Sequence, residues 1–147
     1  MIAVDTNILV YSHRSDSAWH EAADACLASL AESSRTWAIP WPCIHEFLAI
    51  ATHPRIFDPP SSMADALQQV ECWREAPTLA VIGESSGYWG GLRILIEQGK
   101  ILGGRVHDAR IAAICLQHGV AELWSADRDF SRFPALRVRN PLVRQRN

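Results

Sequence analysis

Four acidic residues in this chain sit where a carboxylate needs a reason. Asp5 ends the apolar run Met1-Ile2-Ala3-Val4 and is followed by Thr6, Asn7 and a second apolar run, Ile8 to Tyr11. This pattern reads as a buried strand that delivers a carboxylate to its own carboxyl end, where open α/β sheets keep their chemistry. Taken alone, Asp-Thr-Asn is equally good turn and helix-cap chemistry. Glu46 lies among Cys43, Ala49 and Ile50 at its i−3, i+3 and i+4 positions, in a helix whose other face is also apolar (Ile44, Phe47, Leu48, Ala51). The helix and Glu46 are therefore expected to be buried, and a buried ion must be paired, protonated or bound to a cation. No arginine lies within one helical turn of it. That leaves a long-range arginine or a metal, with the metal as the preferred reading. Asp108 reads as a helix N-cap, and Asp127 as a turn residue with Asp129 close behind in Ser125-Ala126-Asp127-Arg128-Asp129-Phe130.

Together these acids mean more than each does alone. Asp5 and Asp127 follow strands, while Glu46 and Asp108 lie near helix starts, so a right-handed parallel sheet can bring all four to one edge. Four carboxylates a few ångströms apart repel, and their pKa values rise unless a divalent cation neutralises them. Oxygen ligands without a His/Cys set favour Mg²⁺ or Mn²⁺ over Zn²⁺, as one or two ions. Such a centre hydrolyses phosphodiesters with activated water and needs no Ser, Cys or His nucleophile. Thr6, Asn7 and Ser125 are then expected to orient the carboxylates.

Alternating elements must position these groups. The predicted strands are the opening run, Trp37-Ala38-Ile39, Leu79-Ala80-Val81-Ile82, Glu122-Leu123-Trp124 and Leu136-Arg137-Val138. Helical turns are predicted over Asn7 to His13. Helices are predicted over Trp19 to Glu32, Cys43 to His53, Ser62 to Glu75, Glu84 to Gln98, and from Val106 to just before Gly119. This alternation implies an α/β fold with a parallel sheet covered on both faces. The 147 residues, 48% hydrophobic and 20% charged, fit a single domain, 1–147. The formal net charge of −2 neither demands nor excludes a polyanionic partner. From Arg128 onward, however, six arginines face one acid, Asp129. That tail suits phosphate binding and equally suits a solvated, arginine-biased terminus. The four cysteines show no ligand spacing and read as reduced core thiols, and most of the six tryptophans are expected in the core. No apolar run approaches a membrane span and the opening lacks signal-peptide character, so a cytoplasmic protein is expected.

At this point the residues carry a resemblance. Asp5-Thr6-Asn7, Glu46-Phe47-Leu48 through Thr52-His53-Pro54-Arg55, Asp108-Ala109 with Ala112-Ala113, and Ser125 to Phe130 resemble the ordered motif set of the PIN domain. The likeness is closest to the VapC toxins of VapBC toxin-antitoxin pairs and spans nearly the whole chain. It implies a three-layer α/β/α sandwich around a mostly parallel five-stranded sheet, with the activity of a metal-dependent endoribonuclease. It also implies a homodimer, a VapB-type antitoxin whose C-terminal segment enters the active-site groove, and a heterotetramer or larger complex with it. By motif position Asp5, Glu46, Asp108 and Asp127 carry over as the acidic quartet and metal ligands, with Asp129 as an auxiliary acid. Arg128 and Arg132 are the nearest candidates for holding RNA phosphates. Two rivals use the same acids differently. A receiver-like Mg²⁺ domain needs a lysine late in the chain, whereas the only lysine is Lys100 in the Gly99–Gly104 linker. A non-catalytic RNA-binding or scaffold module would use the acids as caps and ion pairs.

Overall fold

A computed structural model describes residues 1–143; the tail arginines Arg144 and Arg146 lie outside the described residues. The strands are β1 (Ile2–Val4), β2 (Trp37–Pro40), β3 (Leu79–Ile82), β4 (Glu122–Trp124) and β5 (Val138–Arg139). The helices are α1 (Thr6–His13), α2 (His20–Glu32), α3 (Trp41–Ala51), α4 (Met63–Arg74), α5 (Tyr88–Gly99) and α6 (Arg105–Gln117), with a 3₁₀ turn at Arg128–Arg132. The sheet order is β3-β2-β1-β4-β5 and every neighbouring pair is parallel. From β1 the chain steps outward through β2 and β3, then crosses back to β4 and β5 on the other side. Right-handed crossovers therefore lay α1 to α4 on one face and α5 and α6 on the other, which completes the sandwich. The reversal falls between β1 and β4, the switch point where α/β sheets open a crevice at their carboxyl ends.

Short, apolar strands make this sheet. Ala3, Val4, Ala38, Ile39 and Leu123 are fully buried, as expected for parallel strands covered on both faces. The α1–α4 layer is locked by Phe47, which has no exposure and sets its ring edge-to-face against both His13 and Trp73, with centroids 5.2 and 4.7 Å away. Phe47→Ala is expected to cost about 3–5 kcal/mol through the cavity it leaves. Thermal unfolding should show this as a fall in Tm of roughly 6–20 °C.

Several sequence expectations shift. The Glu84 start expected for α5 moves to Tyr88, because Gly87 takes φ 87 immediately before it and Glu84 is instead drawn to Arg110. The last strand begins two residues later than Leu136, which is buried but serves as a core plug. Cys43 and Cys115 are buried thiols, whereas Cys72 is exposed on α4. Trp37, Trp73 and Trp124 are core, but Trp19, Trp41 and Trp89 are exposed, so tryptophan is split evenly between core and surface. No helix among the described residues is long and apolar enough to cross a membrane.

Candidate metal centre

Asp5 leaves β1 with its own N–H donated to the Trp124 carbonyl of β4 (2.9 Å), which fixes it at the crevice between the two strands. It caps α1, with Oδ1 accepting the Thr6 N–H at 2.8 Å. Oδ2 accepts the Ser125 hydroxyl at 2.7 Å, and the Cys43 thiol lies 3.6 Å from Oδ1. Asp5 is thus both the cap its sequence suggests and a site group. Only 4% exposed, its carboxyl is pushed up to about 6. Burial is the main cause; the negative charge of Glu46 adds to it, while the Ser125 and Thr6 hydrogen bonds pull the other way.

The residues beside Asp5 form one continuous frame. The Thr6 hydroxyl donates to Glu46 Oε2 at 2.7 Å, tying α3 to α1. Asn7 accepts the Ala126 N–H (3.1 Å) and donates to Ser125 Oγ (3.2 Å), tying α1 to the turn after β4. Ser125 Oγ also accepts the Asp127 N–H at 3.0 Å. Asp127 in turn caps the 3₁₀ turn through the Asp129 N–H at 2.8 Å.

Glu46 differs from its expected state. It is half-buried, because Trp41, His45 and Ala49 leave one side of α3 in solvent and Glu46 falls on the boundary. Its partner is the Thr6 hydroxyl, and among the described residues no arginine pairs with it. Asp108 differs too. Gly103 and Gly104 let α6 begin at Arg105, so Asp108 is not the cap but stands one turn inside, on the face turned to the crevice. Its carboxyl rises to about 6, chiefly through burial and then through the charges of Asp127, Asp5, Asp129 and Glu46.

Ligand oxygens of Asp108, Asp127 and Asp129 lie within 4.8 Å of one another. Asp5 and Glu46 stand outside this tight group but inside its electrostatic field, since both raise Asp108. The site is an all-oxygen, negatively charged recess in which Asp5 and Asp108 resist ionisation, a donor set that fits a hard divalent cation.

The arginines divide. Arg132 donates to the Gly99 carbonyl at 3.2 Å and so fastens the 3₁₀ turn to the end of α5, while Arg128 is exposed. Among the described residues, the cation that reaches the acids is Arg105, with Nη2 3.4 Å from Asp129 Oδ1. Sequence reading missed it. Its place three residues before Asp108 on one helix was the available signal.

Ser125→Ala tests the frame. Removing the hydroxyl takes away a hydrogen bond that lowers the Asp5 pKa, so the carboxyl should rise further and the acid limb of activity should move to higher pH. RNA cleavage is expected to fall about tenfold at pH 6 and far less at pH 8. A pH–rate profile superimposable on wild type would leave Ser125 no positioning role.

The PIN domain family profile matches residues 2–136. Ribonuclease VapC43 of Mycobacterium tuberculosis is 34% identical over 142 residues, which is 97% of this chain and 96% of the relative. Ribonuclease VapC48 of the same organism is 29% identical over 137 residues, or 93% and 94%. Among solved structures, VapBC2 from Rickettsia felis bound to a promoter DNA fragment superposes with a TM-score of 0.66 at 22% identity, covering 95% of this chain and 98% of that one. Mycobacterium tuberculosis VapC20, described as a sarcin-ricin loop cleaving toxin, gives 0.66 at 16% identity over 89% and 93%. These two agree in fold. With the profile spanning β1 to β4 and a relative at 34% identity across nearly all of both chains, this chain belongs to the PIN-domain family and is of the VapC type.

Proposed function

We propose that this protein is the toxin of a type II toxin-antitoxin pair, a single-domain endoribonuclease that hydrolyses RNA phosphodiesters in the cytoplasm with Mg²⁺ or Mn²⁺. The observation that carries the reading is the convergence of Asp5, Glu46, Asp108 and Asp127 at the β1/β4 switch point, with Asp5 and Asp108 both raised to about 6. Asp108, Asp127 and Asp5 would hold the cation, Glu46 would complete the quartet from α3, and Asp129 would support it from the rim. When bound, the cation supplies Lewis-acid stabilisation of the charge that builds up on the phosphate as water attacks.

The chain's own groups do the rest. Thr6 holds Glu46, and Ser125 with Asn7 holds Asp5, so the acids meet the substrate already placed. Arg105 and Arg128 flank the recess as cations for the RNA backbone, and Arg132 serves the scaffold.

VapBC assemblies among the structural neighbours support a VapB-type antitoxin as partner; a toxin homodimer, inside a heterotetramer or larger complex with that antitoxin, is proposed with it. Inducing the chain in a bacterial host should arrest growth, and co-expression of a small antitoxin gene lying immediately upstream should relieve the arrest. Sequencing fragment 5′ ends after induction should then show cleavage at a restricted set of sites. Arrest without any new RNA ends would overturn the nuclease reading.

A further inference from the structure

Beside the acid centre lies a cavity of about 480 Å³ to whose lining the quartet contributes only Asp127. It runs between the 3₁₀ turn and β5, and Asp127 forms a wall common to both spaces. Its floor is apolar, from Leu136 and Val138. Apart from the Asp127 carboxylate, its polar side chains include three that can donate. Arg128 is exposed and takes no carboxylate among the described residues. Ser131 is an exposed hydroxyl, and Asn140 spends its Oδ1 on the Leu142 N–H (3.0 Å), which leaves its amide hydrogens to offer.

The volume falls within the range of small-ligand clefts, roughly 300–1,000 Å³. The Asp127 carboxylate in the wall disfavours an anion and the Arg128 guanidinium disfavours a cation, which leaves an uncharged occupant. An apolar floor under a rim of donors fits a flat ring whose edge carries acceptors. We propose that this cavity receives one unpaired RNA base next to the scissile phosphate, preferring an acceptor edge such as guanine O6/N7 or the carbonyls of a pyrimidine. Arg128 at the mouth would meet the adjoining phosphate. The inference rests on the nuclease reading of the neighbouring acids and adds the feature that selects sequence.

The test measures binding and cleavage separately. Binding is followed by anisotropy of fluorescein-labelled eight-nucleotide RNAs (rA8, rU8, rC8 and r(GU)4) and of abasic versions of each, against the Asp108→Asn protein to prevent turnover. Ser131→Trp, at an exposed position, fills the cavity, and Asn140→Ala removes the amide without adding bulk. The Asp108→Asn protein should discriminate among the RNAs, and the preferred one should bind on the order of tenfold more weakly when a base is removed. Ser131→Trp should abolish the discrimination, and Asn140→Ala should blunt it. Equal affinities for intact and abasic RNA, or discrimination unchanged in both variants, would overturn the pocket. So would a Ser131→Trp protein that reads RNA normally but no longer forms the antitoxin complex, since the cavity would then serve a protein. Retained cleavage of total RNA without base-selective binding removes the pocket and leaves the nuclease. Base-selective binding by a wild-type protein that never cleaves upholds the pocket and removes the nuclease.

Discussion

Asp5→Asn should abolish RNA cleavage, by at least about two to three orders of magnitude, in a protein as stable as wild type or slightly more so. Both halves come from the surroundings of the carboxylate. Its usual value of 3.8 is raised to about 6 in the folded state, so the native protein holds this proton more tightly than the unfolded chain does. Without metal, the Asp5 contribution is therefore greatest below the unfolded value and is lost as pH rises through about 6, at a cost of about 3 kcal/mol by pH 7. Asparagine removes that charge but keeps an oxygen for the Thr6 N–H. In metal-free buffer at pH 7.5 the variant should therefore melt no lower than wild type, and the gap should narrow towards pH 5. Asp108→Asn, relieved of four acidic neighbours, should behave alike. A scaffold whose acids are only caps gives the reverse: a lower melting temperature and an undiminished effect on RNA and growth. Cleavage within tenfold of wild type in both variants would end the catalytic assignment.

The second large effect is cation dependence. Excess chelator should reduce cleavage to background, and Mg²⁺ or Mn²⁺ should restore it. At a concentration 100 times Kd, binding adds about 2.7 kcal/mol, or roughly 5–10 °C in Tm for a chain of this length. The gain should be large at pH 7.5 and small at pH 5, because the acids must lose their protons before they can act as ligands. Asp108→Asn should flatten it. Activity that survives chelation would mean a contaminating nuclease or chemistry that does not use these acids.

The sequence revealed the elements better than their arrangement. Strand β1, helix α2 and strand β3 follow from apolar runs and their spacing because each is decided by neighbours in the chain. Strand order could not be read in this way, since nothing local to residues 83–121 says that the chain returns past β2 and β1. Site residues behaved similarly. The frame around Asp5 was legible in kind, because Thr6, Asn7 and Ser125 carry the right hydroxyls and amide. Their division of labour, with Thr6 serving Glu46 and Asn7 serving Ala126, needed tertiary geometry. Asp108 was misplaced by one turn because Asp is a good cap and two glycines are not, yet Gly104 opens α6 without a side-chain bond. The arginine density of the tail points away from Arg105, yet Arg132 holds a carbonyl and it is Arg105 that meets Asp129.

The change of side in strand order at the sheet's centre also bears on synthesis. Strand β1 is made first, but one of its two neighbours is β4, and the Ser125 hydroxyl that holds Asp5 Oδ2 arrives only after that strand. A polypeptide still emerging from the ribosome carries the first two acids long before it can gather the rest. On the proposed toxin reading, the chain is thus inert until residues 125–127 have been made, which is when an inhibitor made alongside it would have a finished surface to seize.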